Sequence, residues 1–294
     1  MLFFEGQDLT TFEFTYLAAA GTLAAGVTAY ALAGPAHRLG LVSRRRRDRF
    51  GAGLVPLVGG PALLVGALAP LAALGFPLSP GQAVAILGFF AVGLADDLSE
   101  RKPASKFALQ AAVAVGAAYL LLPPAYVAFG AVFLLFLVNA CNYLDNMDGL
   151  LPGVALVQAI ALMRLLDISP STGAPLLFWA MPAVLFLAGR IYLGDSGSHL
   201  VGALLGLDAL RCFFGTEGVR TRFLLPVLLL FALQFADVLA VTVSRVRRRR
   251  PVFRGGIDHL SHRLVRAGFP VPKAVVVLVL ASAVCCAASL LLAG

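Results

Sequence analysis

Four short polar clusters interrupt an otherwise apolar chain, and each holds side chains able to handle phosphate or a divalent cation. The first runs from Ala95 to Lys106 and contains Asp96, Asp97, Glu100, Arg101, Lys102 and Lys106. Adjacent carboxylates repel each other unless a proton or cation intervenes. Mg²⁺ carrying a diphosphate answers that need, because it takes oxygen ligands and keeps substrate phosphates in its shell. Lys106 opens the next apolar block and would meet a phosphate as a compact point charge. A solvated loop in which Arg101 and Lys102 neutralise the acids accounts for the same residues.

In the second cluster Asn139, Asn142, Asp145 and Asp148 recur every three residues, so neighbours in the series share a helix face. Amide side chains both donate and accept, which suits ribose, sugar or metal contacts. Asn139 and Asn142 at the end of an apolar helix must find partners or destabilise it. Helix capping by Asp148 and Gly149 is the simpler alternative. The third cluster, Gly194-Asp195-Ser196-Gly197-Ser198, joins two apolar blocks. Its glycines allow close backbone approach, and amides at a helix N-terminus favour anions. Asp195 would repel bare phosphate, so it reads as a metal ligand that bridges to phosphate, or else as an N-cap of a tight turn.

The fourth cluster spans Arg254 to Arg263 and includes Asp258, His259, Ser261 and His262. Two histidines at i, i+3 could ligate zinc, but neither a HExxH arrangement nor a nearby third ligand accompanies them. The surrounding arginines favour phosphate or leaving-group contacts, with an ordinary basic loop as the alternative. Asp237 lies within an apolar block, where an ionisable side chain is a functional candidate by default.

The elements that must position these residues are membrane helices. Of 294 residues, 60% are hydrophobic and 13% charged, and the mean hydropathy is +0.91. The charged fraction is about half that of a soluble domain. Cutting at charges and Pro/Gly clusters gives ten apolar blocks, at 14–34, 54–75, 82–95, 106–122, 125–141, 150–166, 175–193, 198–214, 222–243 and 272–292. Residues 1–294 read as a single integral membrane domain, all-α and polytopic, with about ten transmembrane helices and both termini outside. The first 14 residues hold Glu5, Asp8 and Glu13 and no Lys or Arg, so the first block is expected to be a retained helix rather than a cleaved signal. Cys141, Cys212, Cys285 and Cys286 show no metal spacing and read as packing residues.

The net charge of +8 could suggest nucleic acid, but Arg44–Arg47 and Arg247–Arg250 lie directly beside apolar blocks. Juxtamembrane arginines set topology and meet anionic headgroups, so no nucleic-acid partner is expected. With both ends outside, 19 of the 23 Lys and Arg fall inside and four (Arg164, Arg211, Arg220, Arg222) outside. The same parity puts all four polar clusters on the inside, as an active site at one membrane interface requires.

In this order and on these loops, the clusters resemble the polyprenyl-phosphate N-acetylhexosamine-1-phosphate transferase family, related to the phospho-MurNAc-pentapeptide translocases. Five elements between about residues 56 and 266 carry the resemblance: Pro56-x-x-Gly59-Gly60; Asp96-Asp97 with Lys106; Asn139-x-x-Asn142-x-x-Asp145; Gly194-Asp195-x-Gly197-Ser198; and Asp237 followed by His259. The resemblance implies a ten- or eleven-helix enzyme of the bacterial inner membrane with a cytoplasmic active site. It would transfer a sugar 1-phosphate, such as N-acetylglucosamine 1-phosphate, from a UDP-sugar to undecaprenyl or another polyprenyl phosphate. The products would be polyprenyl-diphosphate-sugar for envelope glycan synthesis, and UMP. Asp195 and Asn142 would hold Mg²⁺, with Mn²⁺ as its substitute, and Asp96, Asp97, Lys106 and His259 would be catalytic. Gly59, Gly60, Asn139, Asn142, Asp145, His262 and Arg263 would line the donor site. A homodimer is compatible with such an enzyme. Two residues depart from the family pattern: Asn146 stands where Gly commonly follows Asp145, and Ser261 where many members have a second His.

Two rivals are an aspartate-rich membrane prenyltransferase, suggested by Asp96-Asp97-x-x-Glu100, and a transporter. The first needs a second acidic motif, and the second would place polar groups near the midplane. In the transferase reading, the acceptor phosphate has a second pKa near about 6 and is already largely ionised at neutral pH. Charge neutralisation then matters more than a general base. Asp96→Asn is therefore expected to lower turnover while the acidic limb of the pH–rate profile persists. Disappearance of that limb in the variant would instead make Asp96 the base.

Overall fold

The computed structural model describes residues 11–43, 54–73, 75, 77–99, 101–166, 190–215, 218–250 and 256–294. Block 175–193, apart from its last four residues, and Arg44–Arg47 and Arg254 lie outside the described residues. Among the described residues, helices cover the other expected apolar blocks, one of them with a break, and their ends follow local stereochemistry. They are α1 (Thr11–Arg38), α2 (Gly59–Ala73), α3 (Pro80–Leu98), α4 (Pro103–Leu121), α5 (Val127–Leu144), α6 (Leu150–Leu165) and α7 (Gly194–Phe213). After α7 come α8 (Leu224–Leu230), α9 (Ala232–Arg247), α10 (Leu260–Arg266) and α11 (Val271–Ala293). A capping box starts α3: the Gln82 amide donates to Ser79 Oγ at 3.3 Å and the Ser79 amide to Gln82 Oε1 at 2.8 Å. Pro80 and Pro103 occupy the first helical positions of α3 and α4, where a missing N–H is harmless.

Among the described residues, Pro80–Leu98, Pro103–Leu121, Pro124–Leu144 and Val271–Ala293 are long and apolar enough to cross a membrane. A bent pair, counted as one, makes a fifth of sufficient length and apolarity. A two-residue antiparallel hairpin, β1 (Phe214–Gly215) with β2 (Gly218–Val219), pairs Phe214 with Val219 just after α7. All four cysteines are free.

At the centre stands α7, with 18 of its 20 residues buried. It packs against α2, α3, α5, α6 and α8, so a helix buried on every face has a partner on every face. Glycines set the approach. A Cβ on Gly202 would lie 2.5 Å from Val138 Cα, and one on Gly206 2.7 Å from Leu134 Cδ2. Small residues at such seams give membrane helices their dispersion contact, since lipid tails leave little hydrophobic driving force. At one end of the bundle Phe129, Phe133, Phe213 and Phe231 interlock, with Phe129 and Phe213 edge-to-face at 5.5 Å. The polar clusters sit at the other.

Block 222–243 was expected to be one span and is broken. A turn at Thr221–Phe223 followed by α8 meets α9 at a bend of 63°. Pro226 removes a donor from α8, and side chains take over backbone partners near the break. Gln158 of α6 donates to the Leu230 carbonyl at 3.0 Å, and Ser289 of α11 donates to the Pro226 carbonyl at 2.7 Å. Gln158 and Gln234 also exchange amide hydrogen bonds at 2.9 and 2.8 Å, both fully buried. Satisfied amides in an apolar core hold the break, whereas a half-satisfied pair destabilises it. Gln158→Leu and Gln234→Leu are each expected to cost on the order of 1–2 kcal/mol, and the double variant less than the sum. Denaturation of the four proteins in a double-mutant cycle checks this, and strict additivity would refute it.

Candidate active site

The turn before α7 is built by backbone approach. Tyr192 donates to the Pro56 carbonyl at 3.0 Å, and its own carbonyl accepts from Gly59 N–H at 2.9 Å. A Cβ on Gly59 would lie 2.7 Å from that carbonyl, and one on Gly60 2.7 Å from the Gly197 nitrogen. The Pro56-x-x-Gly59-Gly60 motif and the segment from Tyr192 to Gly197 are thus one seam. Gly194 has φ +67, the left-handed region, and a Cβ there would strike the Asp97 carboxylate.

Asp97 reaches across from α3 to cap α7. Its Oδ1 accepts from Asp195 N–H at 2.8 Å, and its Oδ2 accepts from Ser196 N–H at 2.9 Å and Ser196 Oγ–H at 2.6 Å. The helix amides that could have drawn a phosphate hold a protein carboxylate instead. Asp96 points differently. Its Oδ1 accepts from Arg101 N–H at 2.8 Å, and its Oδ2 meets Lys106 Nζ at 3.1 Å. Lys106 Nζ also pairs with Asp195 Oδ2. The adjacent aspartates are therefore divided: Asp97 docks α3 on α7, while Asp96 and Asp195 aim at one cationic point.

One turn deeper lies a neutral layer. Gln110 follows Lys106 by four residues and His199 follows Asp195 by four, so each sits beneath its charged partner. Gln110 Nε2 lies 3.0 Å and Asn142 Nδ2 3.4 Å from His199 Nε2. Asn139 Nδ2 donates to Gln110 Oε1 at 3.1 Å and to the Leu135 carbonyl at 2.8 Å. Amide donors on Nε2 select the His199 tautomer with its proton on Nδ1. Asp145 is the residue just beyond α5, its N–H bonded to the Cys141 carbonyl at 3.1 Å.

A second cluster forms where α9 and α10 meet the end of α5. Asp237 Oδ2 accepts from His259 Nδ1 at 2.8 Å, and its Oδ1 accepts from Leu260 N–H at 2.7 Å. The carboxylate caps α10 and fixes the imidazole so that Nε2 is the nitrogen left for other partners. Tyr143 packs edge-on against His259 at 5.3 Å, and His262 lies 5.7 Å from it. His262 is buried, its Nδ1 3.4 Å from Ser261 Oγ. Arg263 donates to the carbonyls of Asp258 at 3.0 Å and Ala240 at 2.7 Å. Burial pushes the Asp258 carboxyl up, but the Ser244 hydroxyl and the Arg245 and Arg248 guanidinium groups hold it below the usual carboxylate range.

The two departures noted in the sequence touch each other. Ser261 Oγ donates to Asn146 Oδ1 at 2.7 Å, and Asn146 Nδ2 donates to the Tyr143 carbonyl at 2.7 Å. Together they tie α10 to the end of α5.

The donor set suits a hard divalent cation. Asp96 and Asp195 offer carboxylate oxygens to one cationic point, where the Lys106 ammonium now sits. Three carboxylates against one ammonium leave the site negative, so a phosphate ligand needs added positive charge. Among the described residues no group of three or more His, Cys, Asp or Glu surrounds a metal position. A Mg²⁺ ion with few protein ligands and several phosphate or water oxygens requires none.

Known proteins share this arrangement of sequence. Residues 80–213 match glycosyl transferase family 4. A decaprenyl-phosphate N-acetylglucosaminephosphotransferase of Mycobacterium tuberculosis is 30% identical, over 88% of this chain and 78% of its own length. The chain belongs to glycosyl transferase family 4. The corresponding protein of Mycobacterium leprae is 31% identical over 86% of this chain and 77% of its own length. The undecaprenyl-phosphate alpha-N-acetylglucosaminyl 1-phosphate transferase of Escherichia coli is 27% identical over 84% and 75%. The family match spans α3 to α7 and so includes Asp96, Asp97, Lys106, Asn142 and Asp195. Asp237 and His259 lie beyond it.

Within this member of the family, sequence reasoning missed Gln110 and His199. A polar residue one turn inside each charged one was the available signal. The split between the aspartates is directly testable. Asp97→Ala leaves buried amides without an acceptor and is expected to cost on the order of 3 kcal/mol in stability. Asp96→Ala, which leaves the α7 cap intact, is expected to leave the melting temperature nearly unchanged. Thermal unfolding of both variants in detergent decides it, and equal destabilisation would refute the division.

Proposed function

We propose that this chain transfers N-acetylglucosamine 1-phosphate, or a closely related N-acetylhexosamine 1-phosphate, from a UDP-sugar to a polyprenyl phosphate. The reaction takes place at the cytoplasmic face of the bacterial inner membrane. The observation that carries the reading is the placement of Asp96, Lys106 and Asp195 on three different helices around one point. The names of the relatives supply the substrate class.

An oxygen of the acceptor phosphate forms a bond to the β-phosphorus of the UDP-sugar. The bond from that phosphorus to the bridging oxygen breaks, and its electron pair leaves with UMP. Charge handling dominates such a transfer, since the acceptor is already ionised and no covalent step on the protein is needed. Lys106 meets non-bridging phosphate oxygens as the diphosphate displaces its carboxylate partners. Asp195 and Asn142, with Asp96 beside them, would hold Mg²⁺. When bound, that ion would neutralise diphosphate oxygens and polarise the reacting phosphorus. Asp97 keeps Asp195 in place through the α7 cap. His259, oriented by Asp237, presents Nε2 to the donor's phosphate or sugar, with His262 and Arg263 beside it. Asn139 and Gln110 hold the neutral layer that aligns Asn142.

Assay of the purified chain with undecaprenyl or decaprenyl phosphate, Mg²⁺ and a panel of UDP-sugars tests this. UMP and a lipid-linked sugar diphosphate are expected with one sugar. Folded protein that releases no UMP with any of them would overturn the proposal.

A further inference from the structure

Between the last turns of α9 and the short helix α10 lies an open groove of about 530 Å³. Its floor is apolar, formed by Ala236, Leu239, Ala240 and Val243, and Arg247, Arg248, Arg263 and Arg266 stand on its walls. Among the described residues, no carboxylate lines it. Two of these guanidinium groups are held in position by carbonyl oxygens, which bring no net charge, and a third by a carboxylate it shares. Arg263 bonds to the Asp258 and Ala240 carbonyls, and Arg266 Nη1 donates to the Ile257 carbonyl at 3.1 Å. Arg248 lies 3.5 Å from Asp258 Oδ1, a carboxylate that Arg245 also meets. A guanidinium has five donors in a rigid fork, so each retains N–H groups for a phosphate oxygen.

We infer that this groove binds the headgroup of an acidic membrane phospholipid, with an acyl chain along the floor. A soluble anion would satisfy the arginines and leave the floor wet. Leu239 is 64% exposed and Val246, on the same helix, 62%. This apolar surface belongs to the bent pair long and apolar enough to span a membrane, so it continues toward the hydrocarbon. A phosphate tethered to an acyl chain matches both halves of the groove, at the depth where basic pockets between membrane helices meet headgroups. The acceptor lipid must present its phosphate to Asp96, Lys106 and Asp195, none of which lines the groove. Arg263 lies four residues after His259, so an occupied groove braces the helix whose start Asp237 holds.

Binding, rather than turnover, is the test. The full chain in neutral detergent is titrated with phosphatidylglycerol, phosphatidylcholine, inorganic phosphate and polyprenyl phosphate, and followed by native mass spectrometry and thermal unfolding. About one phosphatidylglycerol per chain is expected to bind and raise the melting temperature, with little response to phosphatidylcholine or inorganic phosphate. Arg247→Gln with Arg266→Gln is expected to weaken phosphatidylglycerol binding about tenfold or more. Arg247→Glu alone, at an exposed rim position that leaves the Arg266 carbonyl contact intact, is expected to act in the same direction. Arg222→Gln, near the other end of the bundle, is expected to bind as the parent does. Equal binding of phosphatidylcholine, undiminished binding in both groove variants, or one-for-one displacement by polyprenyl phosphate would each overturn the assignment.

Discussion

Everything at the polar end of this protein is arranged around a repulsion. Asp96, Asp97 and Asp195 come together at the start of one buried helix, with Lys106 as the cation between two of them. Such a group holds together only if each charge is assigned a partner. The fold makes that assignment by direction. One carboxylate caps the helix with its amides, and the other two face the ammonium. The glycine seams at Gly59, Gly60, Gly93 and Gly194 let the backbones come close enough for short side chains to make these contacts. The buried helix α7 then carries the arrangement into the rest of the bundle, because it packs against five neighbours at once.

Much of this was legible in the chain. Hydropathy gave the helices, and the charge count put the polar clusters at one end. Motif order gave the family, because residue types at fixed spacing on successive loops are one-dimensional features. Directions are not. Nothing about an Asp-Asp pair says that its members diverge, since that depends on where α7 enters the space above α3. The same limit hid the bend at Phe231, whose apolar sequence reads as one span. One of the side chains that hold it is Gln158, 72 residues before the carbonyl it takes. The histidine beneath Asp195 was equally visible as a letter, but its neighbours Gln110 and Asn142 come from other helices.

Asn146 and Ser261 show how a departure read singly can mislead. Each looks like a lost family residue, yet they are 115 positions apart and joined by one buried hydrogen bond. A hydroxyl donor and an amide acceptor form a unit that neither a glycine nor an unpaired serine could. Around this contact Tyr143 and Asn146 face α10 while Asn142 faces His199, so the end of α5 serves both polar clusters.

The cap on α7 also bears on how the protein is made. Asp97 leaves the ribosome about a hundred residues before the amides it binds, which lie 98 and 99 positions later. Until α7 enters the bilayer, Asp97 lacks the amides that it caps, while Asp96 already has the Arg101 N–H and Lys106 nearby in the chain. The site cannot gather its charges while the chain is half built. The grouping of the three carboxylates therefore waits on the entry of α7.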